Sequence, residues 1–394
     1  RDTAALATRL AGLTVTNLGP GRNKLFVRGL ADSALTGQTQ AMVGLYLDDT
    51  RLTYDAPDPD LRLVDLERVE LLRGPQGTLY GAGAIGGVLK LVSRPPRLDA
   101  YEAEATAGLT FADDTAPGHS VDLVFNAPLL RDRLALRAVV YEEVLEGVVD
   151  DPGLGVRNTG ATIRNGARVG LLWRINSRWE ARLGTVFQIL ELDDSQYAFE
   201  SLPPYERSLS VREPSNNDFN GASLSLTGDY DWGRVKLTSA YQGHDLDRRY
   251  DATTAVARFG GGGGGALGYD GTESTRAFAL VASITSAPSG SLGWLAGFYG
   301  SHYSHDRTGE VIDLEPDAPL YEAEKRDETN EGAVFAEASW APNDHLKLIL
   351  GGRYFYVATQ SSTRALLRGG STDSFDGESQ DDGFVSKAVV EYAL

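Results

Sequence analysis

Beyond residue 100 the chain is a succession of about twelve segments of roughly ten residues in which apolar and polar side chains alternate, joined by connections that are by turns short and long. A period of two suits only extended backbone, because successive side chains of a strand point to opposite faces. The segments lie near 101–112, 119–127, 133–142, 164–175, 179–190, 219–230, 234–245, 276–287, 292–304, 331–340, 346–357 and 384–394. Alternation is cleanest over Ser223–Trp232, where Leu224, Leu226, Tyr230 and Trp232 share one face and Ser223, Ser225, Thr227, Asp229 and Asp231 the other. Leu134, Leu136, Ala138 and Val140 likewise fall on one face, as do Val169, Leu171, Trp173 and Ile175. Pro128–Asp132, Asn176–Arg178, Gly233, Pro288–Ser291 and Pro342–His345 read as short turns, and 143–163, 191–218, 246–275, 305–330 and 358–383 as long loops. Short turns at one rim and long loops at the other are the pattern of a transmembrane β-barrel.

Parity supports the barrel. If the strands start from the rim of short turns, every odd connection must be long, and only Asp113–Gly118, the first, is shorter than its fellows. A β-sandwich is the other reading of a strand series, and a propeller would show a repeating four-stranded blade, which is missing. Composition agrees: 45 Gly against 16 Pro, with 17 Tyr and 13 Phe, suits an all-β chain with many turns. There is no Cys, so disulfides, thiolate metal sites and a Cys nucleophile are excluded. With 55 acidic against 37 basic residues and a net charge of -18, nucleic acid would be repelled. No apolar run reaches the ~18 residues of a spanning helix, and no signal peptide is present. The only Met is Met42, so Arg1 is read as the start of a processed chain or a fragment.

The first hundred residues differ. Asp2 or Thr3 is placed to cap a short helix carrying Leu6 and Leu10, followed by β segments around Leu25–Arg28, Val43–Leu47 and Val69–Leu72, which predicts a small α+β domain. The stretch from Asp65 through Arg73-Gly-Pro-Gln-Gly-Thr-Leu-Tyr-Gly81 to Gly86-Gly-Val-Leu-Lys-Leu-Val-Ser-Arg-Pro-Pro96 resembles the plug signature of TonB-dependent outer-membrane receptors. Leu25-Phe-Val-Arg-Gly29 and Val43-Gly-Leu-Tyr-Leu-Asp-Asp49 match two further plug motifs in the same order. The resemblance implies a mainly β fold: a plug at 1–97 and, at 98–394, the N-terminal part of a transmembrane antiparallel barrel of 22 strands. The plug-motif positions are Gly29, Asp48, Glu70, Gly74, Pro75, Gly77, Tyr80, Gly81, Gly86 and Gly87. Arg28 and Arg73 occupy the places where the family pairs plug arginines with wall glutamates, which would lie on strands beyond Leu394. The alternative is that both pair within the plug. Lys90, Ser93 and Asp49 depart from the residues common in the family, which puts the finer plug contacts in question.

Other motifs have blander readings. Gly81-Ala-Gly-Ala-Ile-Gly86 satisfies the dinucleotide pattern, but the following residues read as a strand where that fingerprint needs a helix. In His302-Tyr-Ser-His-Asp306 the two imidazoles face opposite ways on a strand, so rim histidines are expected and no metal site is assigned. Tyr197, Phe199, Tyr205 and Tyr321, in the acidic loops 191–218 and 305–330, are candidate ligand contacts; solvated acidic loops are the competing reading. Gly260–Gly265 reads as a mobile loop tip. No catalytic motif occurs, so an enzyme is not expected.

By resemblance the expected function is TonB-dependent uptake of a scarce nutrient across the bacterial outer membrane, a ferric siderophore before cobalamin, haem, another metal chelate or an oligosaccharide. A passive porin or adhesin barrel and a soluble β enzyme are the readings from other classes. The implied partners are the TonB-ExbB-ExbD complex, a small-molecule ligand, outer-membrane lipid and lipopolysaccharide. No resident cofactor is implied, the iron chelate being cargo, and a monomer is expected.

Overall fold

In the computed structural model the alternating segments do form strands, because period-two side chains give each strand one apolar and one polar face. The structure describes residues 3–16, 18–30, 41–54, 58–81, 83–112, 115–255, 265–287, 291–315, 317–367, 370 and 372–393. In the N-terminal region are α1 (Ala4–Ala7), β1 (Leu13–Val15), β2 (Leu25–Val27), β3 (Val43–Leu47), β4 (Thr50–Arg51), β5 (Leu66–Arg73), α2 (Gly77–Tyr80) and β6 (Gly87–Ser93). Then come β7 (Glu102–Thr110), β8 (Gly118–Leu130), β9 (Leu134–Leu145), a small hairpin of β10 (Val149–Asp151) and β11 (Val156–Thr159), β12 (Thr162–Arg174), β13 (Trp179–Leu192) and β14 (Ser215–Tyr230). The tallest strands are β15 (Gly233–Asp251), β16 (Leu267–Ser286), β17 (Leu292–Asp313), β18 (Ala318–Trp340), β19 (Leu346–Leu367) and β20 (Thr372–Tyr392).

Twelve strands pair antiparallel in chain order from β7 to β20, with the β10–β11 hairpin apart, and β7 and β20 are the sheet's edges. Each of the twelve predicted segments falls on one of these strands. Three predicted long loops need correction: most of 246–275, 305–330 and 358–383 is strand, leaving connections at 252–266, 314–317 and 368–371. The reason is solvent. Above the apolar band both faces carry charge, as in Glu322-Ala-Glu-Lys-Arg-Asp-Glu328 of β18. The period-two signal fades there, while the backbone ladder continues. Of the predicted glycine-rich tip, residues 260–264 lie outside the described residues, as do parts of Asp113–Gly118 and Pro288–Ser291.

The outer face reveals a pattern missed in the sequence. All five Trp of the chain, at 173, 179, 232, 294 and 340, lie at the rim of short turns, called here the lower rim. Trp232 stacks between Tyr230 at 5.7 Å and Trp294 at 6.4 Å. Four to eight residues farther up, Phe187, Tyr241, Phe278, Phe298, Tyr354 and Phe384 are exposed on the same face, with Tyr241 directly opposite Phe278 and Tyr354 opposite Phe384. Eight residues of tilted strand rise about 20 Å. Two belts of exposed aromatic rings thus bracket the apolar band, the arrangement that aromatic girdles take in transmembrane barrels. Among the described residues no helix is long and apolar enough to cross a membrane.

The N-terminal region is seated against the concave face of the curved sheet. Its four-stranded sheet has the order β4-β3-β6-β5, with β3 and β6 parallel. Leu13, Val27, Leu45, Leu52, Leu89 and Leu91 form its core, and the wall contributes Phe219 from β14, almost fully buried, to the same cluster. Complete burial of such a ring stabilises by about 2–3 kcal/mol. Gly87 adopts φ +146°, and a Cβ there would meet the Leu72 carbonyl oxygen at 2.4 Å; the pairing of β5 with β6 therefore requires glycine at this point. Thr3 stands at the N-cap of α1 but makes no side-chain cap, and its backbone N–H donates to Asp60 at 3.1 Å. Asp2 lies outside the described residues.

Candidate ligand-binding and plug-locking sites

Toward the upper rim the plug carries a tight loop built on Gly19 and Gly21, both at positive φ. A Cβ on Gly21 would meet Leu190 of the wall at 2.6 Å, so glycine permits this close approach. The loop presents Arg22, whose guanidinium donates to the Ser215 hydroxyl (3.1 Å) and the Glu213 carbonyl (2.9 Å) and lies 5.2 Å from the Tyr250 ring centre. Above it is a cavity of about 340 Å³. Five cations line it, Arg22, Lys24, Arg248, Arg307 and Lys325, against two carboxylates, Asp247 and Glu273. Four phenols, Tyr197, Tyr250, Tyr269 and Tyr321, complete the lining. Arg248 pairs with Glu273, and Arg307 and Lys325 share Asp327, yet cations still outnumber carboxylates here in a chain of net charge -18, which favours an anion with flat unsaturated groups.

The upper connections around this cavity have an ionic core of their own. Arg207 is fully buried; its Nε donates to Asp151 (2.9 Å), Nη1 to the Ser195 carbonyl (2.7 Å), and Nη2 pairs with Asp194 (2.6 Å). Its guanidinium lies 5.7 Å from the Tyr197 ring centre and so fixes that ring at the cavity wall. Burial, reinforced by neighbouring Glu213, pushes the Tyr197 phenol well above its usual range, leaving it a proton donor.

A second charged site lies between plug and wall along Asp58-Pro-Asp-Leu-Arg-Leu-Val-Asp65. Arg62 donates to Asp122 of β8 (2.6 Å) and pairs with Glu143 of β9. Arg164 of β12 pairs with Glu143 and with Asp60 (2.8 Å). Asp65 accepts two bonds from Arg137 of β9, each 2.7 Å. Gln188 of β13 accepts from the Arg62 N–H at 3.0 Å. Almost no solvent reaches these groups; Asp60, Arg62, Asp65 and their wall partners answer one another's charge, as burial requires, whereas buried Asp58 makes no ion pair among the described residues. Sequence reasoning missed this segment. The available signal was its charged residues at every second or third position, facing the charged positions of the polar strand faces.

Two family profiles match the chain: the TonB-dependent Receptor Plug Domain over residues 1–88 and the TonB dependent receptor-like β-barrel over 148–394. The second covers more than half of the chain. This protein is a TonB-dependent receptor. Such receptors are outer-membrane proteins that bind and transport rather than catalyse. In sequence, this receptor is 38% identical over 230 residues to the pesticin receptor of Yersinia pestis, covering 55% of this chain and 29% of that protein. In structure it resembles the ferric yersiniabactin uptake receptor FyuA of Yersinia pestis, with a TM-score of 0.84 and 18% identity over 100% of this chain and 60% of that one. The siderophore receptor PiuA of Acinetobacter baumannii gives 0.75 at 15% identity, again over 100% of this chain and 60% of that one. This chain therefore spans less than two thirds of these relatives.

The receptor's plug motifs occupy defined places. Asp48, at φ +53°, accepts from the Ser93 N–H (2.8 Å) and hydroxyl (2.7 Å). Asp49 pairs with Lys90 at 3.2 Å and with Lys236 of the wall. The three departures from the family pattern thus contact one another or the pieces beside them. Gly29 and Gly74 take positive φ, and Gly86 donates to the Met42 carbonyl at 2.9 Å. Glu70 pairs with Arg68, and exposed Pro75 leads into α2, where Gly77 approaches Val385 of the wall. The Tyr80 ring meets Tyr46 edge-on at 5.2 Å, and a Cβ on Gly81 would come within 2.8 Å of Arg353. Gly81–Gly86 leads into β6 and not into a helix, which removes the dinucleotide reading.

Arg28 and Arg73 are exposed, both reach toward Gly12, and neither makes an ion pair among the described residues. Of the aromatic candidates, Tyr197 and Tyr321 line the upper cavity. Phe199 packs on Tyr197 at 5.9 Å behind it, while Tyr205 is exposed and apart. His302 is exposed beside Asn330, whereas His305 faces the lumen, 2% exposed, with Glu273 at 3.4 Å. The two do point oppositely, but the expectation of two rim histidines is corrected for His305, which the polar inner face and the upper cavity's flank enclose.

Proposed function

We propose that this receptor takes up a ferric siderophore across the bacterial outer membrane, an anionic chelate with aromatic arms, driven by the TonB-ExbB-ExbD complex. The observation that carries the reading is the upper cavity: five cations and four phenols at the plug apex of a strongly acidic chain. Cations attract the anion, phenols stack on its rings and donate to its oxygens, and the plug beneath bars free diffusion. The names of the ferric yersiniabactin uptake receptor FyuA and the siderophore receptor PiuA point to the same ligand class. In this reading the plug comprises 1–97, the wall begins at 98, and the two aromatic girdles sit at the lipid boundaries of a monomer in lipopolysaccharide. Arg28 and Arg73 remain the candidates for pairing with wall glutamates, and the iron is cargo, not cofactor.

The test is uptake of radiolabelled ferric yersiniabactin by iron-starved cells expressing the receptor, with and without the coupling complex. Uptake that needs the complex and falls at least tenfold in an Arg22→Gln, Arg248→Gln double variant is expected. Equal uptake of an uncharged ligand such as cobalamin, unaffected by that variant, would overturn the assignment.

A further inference from the structure

Nearer the lower rim a second cavity, of about 240 Å³, lies between the plug and the inner faces of β15 to β18. Its chemistry repeats that of the upper one. Tyr46, Tyr54 and Tyr80 of the plug and Tyr299 of the wall supply phenols, and Arg51, Lys90 and Lys236 supply positive charge. Arg51 is 8% exposed; its Nε donates to the Thr53 carbonyl at 2.5 Å, its guanidinium lies 4.7 Å from the Tyr54 ring centre, and Nη2, on the Gly83 side, has no hydrogen-bond partner among the described residues. A buried guanidinium with an unused donor is costly unless something accepts from it. Burial raises the Tyr46 and Tyr54 phenols, which therefore stay protonated; at present Tyr46 donates to the Tyr80 carbonyl over a long 3.3 Å and Tyr54 is bonded to Tyr299, so a ligand would have to take over these bonds.

One carboxylate, Asp49, answers both ammonium groups, Lys90 at 3.2 Å and Lys236 across the plug–wall gap. Asp48 is taken up by Ser93. Asp49, Lys90 and Lys236 also line a larger space of about 600 Å³ toward β12 to β14, so they form the partition between the two. A cavity of about 150 Å³ accepts benzene, so 240 Å³ holds one substituted aryl ring.

We propose that this cavity is an inner binding station for a hydroxyaryl carboxylate or phenolate group, whose anion displaces Asp49 from Lys236 and opens the partition. The station rests on the uptake reading for its biological ligand; its test does not. Salicylate is the probe, titrated by saturation-transfer NMR into the full-length receptor in detergent, in an Arg248→Gln, Lys325→Gln background that weakens the upper cavity. Salicylate should bind, Lys236→Gln should weaken it at least tenfold, and Ala279→Trp, which fills the cavity from the wall, should abolish it. Asp49→Asn should tighten it severalfold, because the competing anion is gone; loss of a merely structural ion pair would not do that. Absent binding, affinity unchanged by Lys236→Gln and Ala279→Trp, or weaker binding in Asp49→Asn would overturn the proposal. Failure of ferric yersiniabactin uptake would remove the uptake reading and leave the salicylate result standing.

Discussion

Against β8, β9 and β12 the plug is held by almost fully buried ion pairs of Asp60, Arg62 and Asp65, whereas against β15 to β18 it borders a cavity and is tied by the Asp49–Lys236 pair, each side chain about a third exposed. Removing one partner of a buried pair strands a charge and costs ~3–5 kcal/mol, while an exposed pair contributes less than ~1 kcal/mol. A pull on the plug therefore meets its lesser resistance along β15 to β18. The same side carries the inner cavity, so the weaker seam and the space for a passing group coincide.

The largest expected effect breaks the strong side. Arg164→Ala should lower the stability of the seated plug by ~3–5 kcal/mol, because Asp60 loses its wall partner; the denaturant midpoint at which residues 1–97 become protease-sensitive measures it. An effect of comparable total size, but spread over about three pH units, concerns pH. Burial, with Asp60 adding to it, pushes the Asp58 carboxyl up to about 7. A raised carboxyl holds in the folded state a proton that the unfolded chain gives up near pH ~4. Asp58 therefore weakens plug seating by ~1.4 kcal/mol per unit as pH rises from about 4 to 7, with no further change above. Asp58→Asn should abolish that slope, and identical pH profiles in the two proteins would contradict it. Smallest is Lys236→Ala on the weak side: a loss under ~1 kcal/mol by the same protease assay, and a shift comparable with that of Arg164→Ala would erase the distinction between the two seams.

Much of the wall was legible because its lipid-facing and lumen-facing demands alternate along each strand. Leu134 to Val140 and Leu224 to Trp232 show that directly. Strand ends were not legible where water bathes both faces, as in β17 to β19, since nothing there imposes a period of two. At the site, Tyr197 and Tyr321 could be singled out as loop aromatics, yet nothing local distinguished them from Tyr205, which faces solvent. Asp58 to Asp65 gave only a string of charges.

The sequence by itself determined where the twelve wall strands lie, the rim of short turns and the plug, because alternation, turn residues and the glycine-bearing motif are local properties. The tertiary structure decided which charges meet. Arg62 lies 81 positions from Glu143 and Asp49 187 from Lys236, and such pairs exist only once the plug is enclosed and water is excluded from the gap. Burial then makes the near side costly to break and leaves the far side open.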